Sequence, residues 1–274
     1  MKTRSVRRTR RILQLAGAGA AALMALSACS SSSDSKDSAS GAPGSASPKP
    51  TGDVTVFAAA SLKESFTTLG KEFEKEHPGT KVSFNFGGSD TLAASITGGA
   101  PADVFAAASP KTMAIVTDKK DASGTPATFV RNQLEIATLP GNPDKVSSLK
   151  DLTKSGLKVV LCDKTVPCGA AAQKALDAAG LKLTPVSYEQ DVKSALNKVE
   201  LKEADAAVVY KTDVRSAGGK VEGVEFPESA KAMNDYPIVL LKNAPNASAA
   251  KAFIALVRSA EGQKVLGEAG FLKP

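Results

Sequence analysis

Apolar and polar positions alternate along the chain in two different rhythms that take turns. VTVFAAA (54–60) is a short apolar run of strand type, and SLKESFTTLGKEFEKEHPG then places Leu62, Phe66, Leu69 and Phe73 on one helical face, closed by Pro78-Gly79. KVSFNFGG follows with Val82, Phe84 and Phe86 in strand alternation, then a short helix in SDTLAASITGG. ADVFAAA predicts a strand and SPKTMAIVTDKK a helix with Pro110 in its first turn. A second set begins with the strand NQLEIATLP (132–140), then KVVLC, the helix GAAAQKALDAAG, a strand around LTPVSY and the helix DVKSALNKVELKEAD. AAVVY, VEGVEF and DYPIVLLK (235–242) are strand-like, and SAAKAFIALVRSAEGQKVLGEAG predicts two terminal helices. Strands alternating with helices argue for α/β units, each a mixed, mostly parallel sheet with flanking helices, and two such sheets can face each other across a cleft. Ligands of open α/β sheets sit outside the carboxyl ends of the strands, where the strand-to-helix junctions lie.

The first 28 residues stand apart from this pattern. A basic segment ending at Arg11 precedes the fifteen-residue apolar core ILQLAGAGAAALMAL, and LSAC (26–29) closes the run. That is an export signal, too short for a span of about 20 residues. Its end has the form of a lipobox, which makes Cys29 the expected lipidated N-terminus of the mature chain. Residues 29–52 carry nine Ser and three Pro and no large apolar side chain, so they predict a flexible tether. The leader also holds six of the 35 Lys and Arg and no acid, leaving 29 basic against 28 acidic residues. The basic pI therefore belongs mostly to the leader, and a nucleic-acid partner loses its support. Two further cysteines remain, Cys162 and Cys168, and in an exported protein such a pair is expected to form a disulfide. Two cysteines and one distant His do not make a metal site.

FAAAS occurs twice, at 57–61 and 105–109, each time between a strand and a helix. Ser61, Ser89 and Ser109 all suit helix capping, and Ser61-Leu62-Lys63-Glu64 fits a capping box. The helix starts at Ser61, Ser89, Cys168-Gly169 and Asp191-Val192 could equally hold an anion. The first N–H groups of a helix lack internal partners and its dipole adds partial positive charge. A hydroxyl can serve both ends at once, since it accepts and donates. Hydrolytic use of Ser61 is excluded, because no G-x-S-x-G surrounds it and the sole imidazole, His77, lies about 24 Å down the same helix. Tyr188, Tyr210 and Tyr236 are too scattered for a ferric-ion receptor.

In order and spacing, VFAAASL, FGGSDTL, GGAPADVF, VPCGAAAQKAL, DVKSAL and AAVVYKTD resemble the molybdate-binding proteins of ABC importers, a likeness running from about Asp53 to the C-terminus. The resemblance implies a non-enzymatic, type II periplasmic-binding-protein fold. Its first domain would comprise 53–131 and 236–274, and its second 132–235. Molybdate or tungstate would be held between them by neutral donors, without a cofactor. Carried over by position, the ligands fall on the hydroxyls of Ser61 and Ser89, the backbone N–H of Cys168 and Val192, and the Tyr210 hydroxyl. A Cys162–Cys168 bridge would steady the turn that presents the Cys168 N–H. Asp90, beside Ser89, is expected to point away from a bound dianion, and Ser109 to act as a cap only. The implied partners are the anion, an importer permease and, through Cys29, the cell membrane at its outer face. The implied protein is a monomer. A receptor for another tetrahedral oxyanion such as sulfate is the alternative.

Overall fold

The computed structural model describes residues 50–274, so the leader, Cys29 and most of the tether lie outside the described residues. In chain order, β1 (Gly52–Ala59) leads through a short 3-10 turn into α1 (Lys63–Glu76). Then come β2 (Thr80–Gly87), α2 (Ser89–Thr97), β3 (Val104–Ala106), α3 (Pro110–Asp118) and β4 (Ala122–Asn132). β5 (Leu134–Thr138), β6 (Val159–Cys162), α4 (Pro167–Ala179), β7 (Ser187–Glu189) and α5 (Val192–Glu200) follow. β8 (Ala206–Tyr210), α6 (Lys211–Ser216) and β9 (Glu222–Val224) complete the middle of the chain. β10 (Asn234–Leu241), α7 (Ala247–Arg258) and α8 (Ala260–Glu268) end it.

The strands form two five-stranded sheets, ordered β2-β1-β3-β10-β4 and β7-β6-β8-β5-β9. In each, two pairings are parallel and two antiparallel, so the sheets are mixed with a smaller parallel share than expected. The antiparallel members are the strands next to the crossings between sheets. The chain leaves the first sheet at Asn132 and re-enters it at Asn234, and these two residues are paired across β4 and β10.

The α1 stripe behaves as its spacing requires. Leu62, Phe66, Leu69 and Phe73 are fully buried, and the Phe253 ring of α7 meets Phe66 and Phe73 edge-on at 5.9 and 5.6 Å. Each such side chain contributes about 1.5–3 kcal/mol on leaving water. β4 was not foreseen from the sequence, because Gly124 and Pro126 interrupt it and its first half is polar and small. It lies at the edge of its sheet, where a strand tolerates proline. The two FAAAS copies lie side by side, with Phe57 opposite Phe105 and Ala58 opposite Ala106 in the parallel β1–β3 pair. Among the described residues no helix is long and apolar enough to cross a membrane.

Candidate functional site

The carboxyl ends of β1 and β2 and the starts of α2, α4 and α5 converge on one cavity. It holds about 220 Å³ of empty space, its open mouth included. About 20 Å³ of it is open to the centres of water-sized molecules, little more than one water needs, so the occupant is small. Ser61, Ser89, Cys168, Val192 and Tyr210, far apart in sequence, all line it. Among the described residues no Lys or Arg does, and the only acidic lining residue is Asp191. The Asp191 carboxylate is folded onto its own helix, accepting from Ser194 N and Ser194 Oγ at 3.0 Å each. Asp90 is not among the lining residues, and its Oδ1 is buried beside Gly88 without a hydrogen-bond partner.

The helix starts supply donors because little else uses them. α2 begins after Gly88 and α4 after Val166, and neither start carries a side-chain cap. The Ser89 and Cys168 N–H groups, at the first and second positions of these helices, thus have no partner within them. Val192 is the first residue of α5, whose cap Asp191 serves Ser194 instead. Three helix N-termini add partial positive charge at the same point.

The serines divide their work differently from the capping pattern. A 3-10 turn over Ala60–Leu62 displaces the start of α1, so Leu62 is its cap residue and the capping box at Ser61 and Glu64 does not form. Glu64 pairs instead with Lys193 of α5 at 3.0 Å. Ser61 Oγ lies 2.9 Å from Tyr236 Oη. Ser89 is the first helical residue, not the cap, and its Oγ accepts from Ala108 N at 3.0 Å. Ser109 does cap α3, accepting from Thr112 N at 3.2 Å, with Pro110 next to it. The second FAAAS copy therefore reaches the cavity through Ala108, whose N–H supports Ser89.

Behind the cavity is a buried polar layer that sequence reasoning missed. Asn234 Nδ2 donates to Tyr210 Oη at 2.6 Å and to the Pro167 carbonyl at 3.2 Å. Asn132 Nδ2 donates to Thr212 Oγ1 at 2.9 Å and to Tyr236 Oη at 3.3 Å, while its Oδ1 accepts from Gln133 N. Burial raises the pKa of both the Tyr210 and Tyr236 hydroxyls, so both stay protonated at neutral pH. The asparagine pair at the ends of two strand-like runs was the available signal. Nearby, Asp213 accepts from Tyr210 N at 3.1 Å and forms an ion pair with Lys193 at 3.2 Å, without hydrogen-bond alignment at that oxygen. Burial outweighs the lysine and lifts the Asp213 carboxyl to about 6.

A disulfide joins Cys162 and Cys168, with Cα atoms 5.8 Å apart. It ties the end of β6 to the first turn of α4, where Cys168 lines the cavity. Gly169 completes that turn, since a Cβ there would stand 1.9 Å from the Asp163 carbonyl oxygen. His77 ends α1, in contact with the Phe73 ring at 4.5 Å, and is not among the cavity's lining residues.

Residues 54–272 match the family model described as bacterial extracellular solute-binding protein. The molybdate-binding protein ModA of Mycobacterium tuberculosis is 43% identical over 239 residues, spanning 84% of this chain and 92% of that protein. ModA of Escherichia coli is 32% identical, over 80% of this chain and 89% of its own. The solved periplasmic molybdate-binding protein of Azotobacter vinelandii superposes with a TM-score of 0.71 at 21% identity. That match covers 81% of this chain and 99% of that one, and it speaks for the fold. With a small donor-lined cavity between two mixed sheets and these relatives over most of its length, the chain belongs to the bacterial extracellular solute-binding proteins, a non-enzymatic family, and within it to the ModA molybdate-binding proteins.

Proposed function

We propose that the protein captures molybdate, and with it tungstate, in this cavity and delivers it to an ABC importer. The observation that carries the reading is the lining: three hydroxyls and the starts of three helices, with no cationic side chain. Ser61 and Ser89 hydroxyls, the Cys168 and Val192 N–H groups and the Tyr210 hydroxyl are the proposed donors. A molybdate dianion carries no proton at neutral pH and asks only for donors. Hydrogen phosphate needs an acceptor and is disfavoured, while sulfate is smaller and must be refused by fit.

Because the donors come from both sheets, the anion favours the state in which they meet. Closure is driven by the difference in affinity between that state and an open one. The proposed moving bodies are residues 53–131 with 236–274, and residues 132–235. Lipid on Cys29 would hold the protein at the outer face of the membrane, where the tether lets a monomer reach its permease.

Titration calorimetry of the mature protein against molybdate, tungstate, sulfate and phosphate tests the reading. Molybdate and tungstate are expected to bind, with sulfate far weaker, and equal affinity for sulfate would overturn the specificity. Ser89→Ala and Tyr210→Phe should each weaken binding by about tenfold or more, the size of one hydrogen bond to a charged group. Unchanged affinity in both would remove these residues from the site.

A further inference from the structure

The cavity hydroxyls are not free rotors, because the bonds they accept have directions fixed by chemistry. Ser89 Oγ receives from Ala108 N at 3.0 Å, and an amide N–H can only donate. Asn234 turns its Nδ2 to the Pro167 carbonyl at 3.2 Å, a group that can only accept, so the same nitrogen faces Tyr210 Oη at 2.6 Å. Tyr210 therefore receives from Asn234 and turns its own proton toward the cavity or toward the neighbouring Tyr236 hydroxyl, with which it also hydrogen-bonds. Asn132 uses Oδ1 for the Gln133 N–H at 3.0 Å, which leaves Nδ2 to face Tyr236 Oη at 3.3 Å. Tyr236 receives from it, which favours donation of its own proton to Ser61 Oγ 2.9 Å away, a contact in which either oxygen can be the donor. With Tyr236 donating, Ser61 keeps its own proton for the cavity.

We propose that Asn132 and Asn234, with Tyr236 as relay, are positioning residues that set the proton polarity of the cavity, biasing Ser61 and Tyr210 toward donation, so that tetrahedral oxyanions without a proton are selected over protonated ones. The two asparagines face each other where β4 and β10 pair, at the crossing between the sheets, and are 0% and 7% exposed. One amide feeds the Ser61 side of the cavity and the other feeds Tyr210. Such chains polarise each hydroxyl toward donation. The inference rests on the oxyanion-binding function proposed above and names how that site refuses ligands that must themselves donate.

The test compares molybdate with hydrogen phosphate in mildly alkaline buffer, where both are dianions and an added negative charge repels both alike. Asn132→Asp and Asn234→Asp replace an obligate donor by an acceptor, so Tyr236 and Tyr210 turn their protons backward. Tyr236→Phe removes the relay and frees Ser61 to accept, and it carries the test if the aspartate variants do not fold. In each folded variant molybdate should weaken about tenfold, while hydrogen phosphate holds or gains. A role in packing alone would weaken both in parallel. If phosphate gains on molybdate in no folded variant, the relay is overturned while the function stands. If the wild-type protein binds no molybdate, the function fails and the relay with it.

Discussion

Gly88 offers the sharpest test of closure. It precedes α2 on the first sheet's side of the cavity, with φ −60 and ψ 130, a conformation that alanine adopts without strain. A Cβ at this position would lie 2.6 Å from the Gln190 carbonyl oxygen, which belongs to the β7–α5 junction of the other sheet. Real Cβ contacts essentially never fall below 3.0 Å, so the two sides must part by at least a few tenths of an ångström. Asp90 Oδ1, 2.8 Å from the same point, is a side-chain end and can swing aside, whereas the Gln190 backbone cannot. Overpacking of this kind costs about 1–3 kcal/mol, equivalent to about 5–150-fold in Kd. Opening the cleft relieves the contact, and alanine also restricts the unfolded chain, so the ligand-free protein should be as stable as wild type or slightly more so. Calorimetry against molybdate, with thermal melts with and without ligand, would therefore show weaker binding of Gly88→Ala alongside an undiminished ligand-free melting temperature. A Kd within twofold of wild type, or a ligand-free destabilisation as large as the binding loss, would refute the reasoning.

Reducing the Cys162–Cys168 disulfide, or replacing both residues by serine, should lower stability by about 2 kcal/mol, as expected for so short a loop. It should also weaken molybdate binding, because the turn presenting the Cys168 N–H loosens; denaturant melts and calorimetry under reducing conditions check both. Lys193→Met leaves Asp213 fully buried and without its cation, which should cost about 3–5 kcal/mol at neutral pH in a urea melt. The folded Asp213 carboxyl is raised above its unfolded value, so its ionisation penalises folding increasingly as pH rises from about 4 to about 6 and fully above that. Without the lysine its pKa should climb further, and the variant should regain stability relative to wild type as pH falls below about 6. A deficit that does not change with pH would place the effect in packing.

Element type, order and the buried face of α1 were legible in the sequence because periodicity is a property of near neighbours. Leu62, Phe66, Leu69 and Phe73 share a face whatever that face packs against. The same holds for Ser109, whose capping partner Thr112 is three residues away. The proposed donor set was reached through ordered motifs rather than through periodicity, and the fold gathers its five members around one cavity. Local pattern left Ser61 and Ser89 between two duties, since a serine before a helix carries the same signal whether it caps or faces a cleft. Only the tertiary structure decided between these duties. Ser61 meets Tyr236 across 175 residues of chain, and Ser89 meets Ala108 through the β1–β3 register that lays one FAAAS beside the other. The Asn132–Asn234 pair exists only because β4 and β10 run antiparallel at the crossing between sheets. Hydrogen-bond direction depends on which donors and acceptors meet. That meeting is set by strand order and register, so the proton polarity of the cavity belongs to the fold and not to any stretch of sequence.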